Sequence, residues 1–318
     1  MSGNVLSLYD GDILKSLRHD FNQIEKTAYG MPREKLDAIQ SAPIKREVNK
    51  GALTFTTRVI SAVGMAGIVA SDAKELPPVS IGYKKETTNI YQVGVSYKFT
   101  HEELDACAYA NIPLSADEAK EARRKIDEKV DELIYNGDAD YNIGGLFNNK
   151  NVTTSIAADG ASGKKTWADK TLDEITADIQ TMLNALFEAT KGPRGGSSVE
   201  PDTIKIPRAA WVSLTNRTKG TDSDITFLKA LQDRFAPQGL KNWECCNSAA
   251  GAGVVGGKAA DRALIYKKSE ENVFSILPVP FRVLPAQYEG LSIIYNCIAR
   301  CGGAVWRRPT TGVYMDGV

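Results

Sequence analysis

The chain has 318 residues, 42% of them hydrophobic and 25% charged, a globular balance that excludes a disordered, fibrous or membrane composition. Its 39 Lys and Arg offset 39 Asp and Glu, so no whole-body basic field exists to gather nucleic acid, although a local basic face could still form. The same zero balance removes the long-range repulsion that keeps copies of a chain apart.

The first residues, MSGNVLSLYDGDILKSL, lack the uninterrupted apolar core of a signal peptide. Ile13, Leu14, Leu17, Phe21, Ile24 and Ala28 recur at three- and four-residue steps and predict an amphipathic helix over 12–29. Gly30 and Pro32 end it. Residues 31–53 hold few clustered apolar groups and read as an extended arm, so 1–53 form an N-terminal arm with one helix.

From 54 to 100 the pattern is β. TFTTRVISAV is rich in β-branched residues, and TTNIYQVGVSYKFT alternates, with Tyr91, Val93, Val95, Tyr97 and Phe99 on one face. Between them lies a small-residue stretch with Pro77 and Pro78. Two long strands with such a tip form a hairpin-like arm that has too little apolar surface to stand alone. A neighbouring subunit is a candidate surface for it.

HEELDACAYAN, from 101, predicts a short helix. Ser115 and Glu118 match a capping box. The helix that follows, about 116–135, carries a thin apolar stripe at Ala116, Ala119, Ile126, Val130, Leu133 and Ile134. About twenty residues make roughly 30 Å of helix. Its run DEAKEARRKIDEKVDE mixes signs at helical spacing, the mark of a solvated or inter-subunit face laced with weak pairs. Asn136-Gly137 stops the helix, and YNGDADYNIGGLFNNKN follows as a string of turn formers closing on Leu146 and Phe147.

Residues 153–170 are small and polar and read as a surface excursion. A helix is predicted over 171–190, with Leu172, Ile175, Ile179, Met182, Leu183, Leu186 and Phe187 as its stripe. TIKIP predicts a strand, Pro207 opens a helix, and 225–235 forms another. ADRALIYKKS, NVFSILPV and LSIIYNCIARCGGAVWRRP read as strands. The fold class is α+β.

Catalytic signals are weak. His19 and His101 lack metal-ligand spacing. Cys107, Cys245, Cys246, Cys297 and Cys301 show no redox motif and read as reduced, mostly buried thiols in a cytoplasmic setting. Gly251, Gly253 and Gly256 satisfy G-x-G-x-x-G, but NWECCNSAA before them is a poor strand and a strand rather than a helix follows. A flexible connector is the better account, with a nucleotide-binding enzyme as the rival reading. Arg300, Arg307 and Arg308 fit a phosphate or structural pairing equally well. No cofactor or metal is expected.

The order of parts resembles the major capsid proteins of tailed bacteriophages, the Hong Kong 97-type fold shared with encapsulin shell proteins. GMAGIVASDAKELPPVSI through YQVGVSYKFTHEEL resembles the family's extended E-loop, and IPLSADEAKEARRKIDEKVDELIYNGDADYNIGGLFNN resembles its spine helix and the punctuation after it. VPFRVLPAQYEGLSIIYNCIARCGGAVWRRPTTGVYMDGV resembles the closing strands. The resemblance implies an E-loop over 54–100, a peripheral domain over 101–152, a mainly axial domain over 153–285, and return strands of the peripheral domain over 286–318. It implies assembly contacts at Lys74, Lys84, Lys85, Tyr91, Arg123 and Arg124.

Partners implied are copies of the chain in hexamers and pentamers, a portal, decoration proteins and packaged double-stranded DNA, with no membrane. The short arm without a long charged coil implies a separate scaffolding protein or none. Some relatives weld their shells through an E-loop Lys and a neighbour's Asn. Asn148 and Asn149 are available here, but no motif fixes that chemistry, and it is not carried over. The implied function is the structural subunit of an icosahedral shell around phage DNA, found in the virion and assembled in the host cytoplasm. An encapsulin-like compartment is the alternative within the class.

Overall fold

The computed structural model describes residues 33–45, 47–63, 78–110, 114–192, 199–219 and 224–318. The helix expected over 12–29, His19, Lys74 and the side chain of Cys107 lie outside the described residues.

Strands β1 (Thr54–Val63) and β2 (Ser80–Asn89) pair antiparallel over their whole length and form a two-stranded ribbon. The sequence alternation places the second ribbon strand later, within 87–100. Instead the chain breaks at Ile90, which is buried and donates its N–H to the Leu53 carbonyl at 2.8 Å. Strand β3 (Tyr91–Thr100) then leaves the ribbon and enters another sheet. No Gly or Pro marks this switch, so the apolar pattern runs through it unbroken.

That second sheet pairs β3 with β13 (Ser292–Cys301), whose other edge takes β11 (Val279–Val283) and β12 (Gln287–Glu289). Val93, Val95 and Tyr97 of β3 and Cys297, Ala299 and Cys301 of β13 belong to the core packed under helix α3 (Leu114–Tyr135). The short turn α1 (Ala38–Ser41) lies along α3, and α2 (His101–Ala110) precedes it. Helix α3 starts one residue before Ser115, which therefore sits in the first turn rather than at the cap. Reciprocal caps form elsewhere: Thr100 with Glu103, and Thr171 with Glu174.

A five-stranded sheet makes the second lobe, in the order β4 (Thr153–Ile156), β15 (Gly312–Asp316), β9 (Arg262–Tyr266), β5 (Thr203–Pro207), β6 (Asn242–Cys246). Strand alternation covers both its faces. Ile204, Ile206, Ala263, Ile265, Val313 and Met315 pack against α4 (Leu172–Ala189), α5 (Arg208–Asn216) and α6 (Phe227–Phe235). Leu264, Tyr266, Tyr314 and Cys246 face the core of the first lobe.

Three sequence expectations change here. The segment 242–246 is a true edge strand, parallel to β5, because Lys205 and Glu244 pair across it at 2.8 Å. The polar stretch 153–170 is not all surface: it supplies β4 and the fully buried Trp167. The closing block 286–318 divides. Its β12 pairs with β13, β13 pairs with β3 and β11, and β14 (Ala304–Trp306) pairs with β10 (Val273–Ser275), whereas β15 sits inside the five-stranded sheet. The chain end is thus a core strand, with Val313, Tyr314 and Met315 almost fully buried.

Candidate assembly surfaces

Among the described residues, the ribbon is anchored at its base. Phe55 meets the Phe274 ring edge-on at 5.7 Å, and Val48, Ala52 and Phe55 pack on a small cluster of Ile90, Phe274, Ile276 and Val305. Arg300 donates to the carbonyls of Lys50 and Ala52, the second at 2.7 Å, so this arginine anchors the strand entry. Arg307 covers the Phe274 ring at 5.2 Å, and Arg308 pairs with Glu271 at 3.8 Å. All three arginines therefore have structural partners.

Beyond the base, the ribbon presents a face with no cover among the described residues. Antiparallel register puts Ile60 opposite Tyr83 and Ala62 opposite Ile81. Ile60, Ile81 and Tyr83 are 63%, 53% and 66% exposed. On the same face, Arg58 stands directly opposite Lys85. Like charges opposed across strands destabilise a hairpin that stands alone. An apolar strip beside two unscreened cations is complementary to a surface that is apolar and acidic. Lys84 lies on the reverse face and pairs with Glu86 at 2.7 Å. Lys85 is one of the expected contacts, and Arg58, Ile60, Ile81 and Tyr83, on the same face, are not among them. Their alternation was the available signal, obscured because the second ribbon strand was placed too late.

The other expected contacts fall at two sites. Tyr91 packs edge-on against Tyr141 at 5.0 Å, where the start of β3 meets the turn after α3. Arg123 lies over the Phe281 ring at 5.9 Å and 3.7 Å from Asp127. Arg124 bonds Glu128 at 2.9 Å and the carbonyl of Glu34, so its donors serve its own chain. Further pairs, Lys120–Asp117, Lys125–Glu128 and Lys129–Glu132, line the outer face of α3. The hydrogen bonds from Lys125 and Arg124 hold the Glu128 carboxyl below its ordinary range.

The segment 33–45 is strapped along α3. Arg33 meets Glu121 at 2.7 Å, and this bond keeps that carboxyl low. Asp131 accepts the Ala38 N–H at 2.9 Å, while burial pushes its carboxyl up. The Tyr135 hydroxyl donates to Asp37 and lies 2.8 Å from the Ser41 hydroxyl. Buried Lys205, 3.3 Å from that same tyrosine oxygen, ties the strap to the five-stranded sheet.

The turn-forming stretch after α3 works as an interlobe crossing. Gly137 takes φ +64°, and Asp138 and Ile143 exchange backbone bonds of 2.9 and 2.8 Å. A Cβ on Gly145 would stand 2.5 Å from the Gly137 nitrogen. Leu146 and Phe147 then bond back to the carbonyls of Ile134 and Tyr135 and bury their side chains. Asn148 accepts from the Gly145 N–H at 2.8 Å and donates to the Asn136 carbonyl, so its amide is part of the turn.

The glycine run is a hairpin, not a flexible connector and not a phosphate loop. Strands β7 (Gly253–Val255) and β8 (Lys258–Ala260) pair antiparallel around Gly256 and Gly257. Buried Asp316 holds it, accepting from Arg262 at 2.6 and 2.8 Å and from the Val254 N–H at 3.1 Å. No helix N-terminus follows to face a phosphate. Among the described residues, no group of three His, Cys, Asp or Glu could hold a metal, and no helix is long and apolar enough to cross a membrane. Cys246 and Cys301 are buried free thiols, pushed up to about 11 by that burial.

Solved structures share this mixed α+β fold over nearly the whole chain. The capsid of Myoviridae phage XM1 is 16% identical and superposes with a TM-score of 0.76 over 94% of this chain and 98% of its own. The capsid of a native GTA particle is 12% identical, with a TM-score of 0.65 over 93% and 94%. A virus-like particle from Pyrococcus furiosus is 13% identical, with a TM-score of 0.55 over 87% and 91%. A search of curated proteins finds no match to the sequence. The family model described as major capsid protein matches residues 64–318. That match covers β2, β3, α3, the five-stranded sheet and the buried final strand, and the chain belongs to the major capsid protein family, a family of structural shell proteins rather than enzymes.

Proposed function

We propose that the chain is the subunit of an icosahedral tailed-phage shell enclosing double-stranded DNA. The observation that carries this reading is the ribbon of β1 and β2, anchored at one end and exposing Ile60, Ile81 and Tyr83 on one face beyond it. In an isolated subunit the strip of Ile60, Ile81 and Tyr83 remains in water. In a shell it lies on the next copy, and many weak contacts of this kind act together. Arg58 and Lys85 meet carboxylates of that copy, while Lys84, Tyr91 and Arg123 form the border of the contact. Lys74 joins these contacts on the sequence resemblance alone.

In this reading 54–100 is the E-loop, 101–152 the peripheral domain around α3, and 153–285 mainly the axial domain. The 286–318 block returns to the peripheral domain before β15 crosses to the five-stranded sheet. Copies form hexamers and pentamers, and closed symmetry ends growth at a fixed size. Scaffolding, portal and decoration proteins are its further partners. DNA is held without sequence specificity in the virion, and assembly takes place in the host cytoplasm without a membrane.

Electron microscopy of the chain expressed alone and with its scaffold tests the proposal. Uniform hollow shells are expected, with nuclease-protected DNA inside particles from infected cells. Only monomers or small dimers across salt and concentration would count against it. Shells that consistently hold a protein cargo instead of DNA would favour the compartment reading.

A further inference from the structure

Strand β5 buries a charge at its centre. Its neighbours Ile204 and Ile206 pack with the helices of the second lobe, whereas Lys205 lies on the other face, opposite Leu264 of the first-lobe core. The Lys205 side chain is 0% exposed. Its ammonium donates to Glu244 of β6 at 2.8 Å and to the Tyr135 hydroxyl at 3.3 Å. Tyr135 is the last residue of α3. Its hydroxyl donates in turn to Asp37 of the strap and lies 2.8 Å from the Ser41 hydroxyl. The Tyr266 hydroxyl of β9 donates to the Ser41 carbonyl at 2.9 Å, and Ser275 donates to the Ala42 carbonyl at 2.9 Å. Sheet, long helix and strap therefore meet around one buried ammonium.

Burying a lysine is a costly way to join apolar surfaces. Leu264, Tyr266 and Tyr314 of the sheet already share a core with Ile134 of α3 and Phe147. That apolar contact is non-directional. A charge-assisted hydrogen bond instead accepts a narrow range of distance and direction. A buried ion pair is weak evidence for stability, and fixing register is its best-attested use. Lys205→Met strands no buried charge either. Glu244 is 31% exposed and keeps Lys268 at 3.5 Å, and the Tyr135 hydroxyl keeps Asp37 and Ser41.

We infer that Lys205 is a specificity-determining residue for assembly: it fixes the seat of the strap between α3 and the five-stranded sheet, and adds little to the stability of the subunit. The inference rests on the shell reading. A closed shell repeats its contacts in every copy. Subunits whose straps take several seats differ in shape, and they close into shells of unequal size.

Lys205→Met and Tyr135→Phe in the full chain test this. Tyr135→Phe keeps the ring that stacks on Phe147 at 5.7 Å, so it holds the test open if the lysine variant fails to fold. In both, the unfolding equilibrium constant of the unassembled subunit should stay within about tenfold of the parent. Hydrogen exchange at Ala38, Ser41 and Ala42, whose amides bond Asp131, Asp37 and Ala38, should speed up by about tenfold or more. Electron micrographs should show a spread of shell diameters about twice that of the parent or wider. The double variant should match the single ones, because both cut one link. Unchanged strap exchange overturns the inference, and so does faster exchange with shells of uniform size. A shift in the unfolding constant of more than about a hundredfold in both variants makes the link a stability element and also overturns it. A parent chain that forms no shells with its scaffold defeats the shell reading separately. Strap exchange in the subunit then still decides the lysine's role: faster exchange at unchanged stability upholds it, and unchanged exchange overturns it.

Discussion

At the scale of single residues, buried charge gives the sharpest predictions. Lys170 and Asp178 form an ion pair that is almost fully buried, and the Trp167 indole donates to the same carboxylate at 3.0 Å. Asp178→Ala should cost about 3–5 kcal/mol in denaturant unfolding, because it strands a buried ammonium. Replacing the pair together by Met and Leu should recover most of that loss. Asp131 behaves differently. Burial raises its carboxyl, and Asp37 and Glu34 add to the effect. The native state therefore keeps this proton where the unfolded chain has released it. Its contribution to stability falls as pH rises from the ordinary aspartate range through the raised native value. Asp131→Asn keeps an acceptor for the Ala38 N–H and should flatten the pH dependence of unfolding in that window. A variant with an unchanged slope would refute this. Neither feature was legible in the sequence, since Lys170, Asp178 and Asp131 look like ordinary surface charges until the fold closes over them.

At the scale of elements, the ribbon and the crossing after α3 make opposite demands. The ribbon's apolar strip is exposed in the subunit, so Ile60→Asp and Tyr83→Asp should leave subunit unfolding within about 0.5 kcal/mol. The same substitutions should abolish shells in electron micrographs. Equal loss of subunit stability would mean that the strip is covered within its own chain. The crossing is an internal feature. Gly145→Ala drives a methyl into the Asn136–Gly137 backbone and should cost about 1–3 kcal/mol, measured on the unassembled subunit. This crossing was well signposted: Asn136-Gly137 as the stop, the turn formers, and Leu146 and Phe147 as the anchor all hold in the structure. Their signals are local, so each residue announces its own constraint. The switch from β2 to β3 at Ile90 had no such mark, because an apolar residue in an alternating run looks the same whichever sheet takes it.

At the scale of the whole molecule, the shell reading also predicts an absence. Adding ATP or NAD should leave the melting temperature unchanged, since the glycine run is a hairpin pinned by Asp316 and offers no helix amides to a phosphate. A saturable rise would revive a nucleotide site. The sequence by itself determined the α+β class, the long charged helix with its stop, the buried stripe of α4 and the order of parts that resembles shell proteins. These depend on periodicity and turn chemistry within a few residues of each other. Only the tertiary structure decided that β3 belongs with β13, that β15 enters the five-stranded sheet, and that Ile60, Ile81 and Tyr83 stand exposed on one ribbon face. Strand partners such as Tyr91 and Cys301 lie more than two hundred residues apart, and nothing local in a β-pattern names its partner. Whether an apolar face is core or contact surface is settled only when the rest of the chain has packed and left it uncovered.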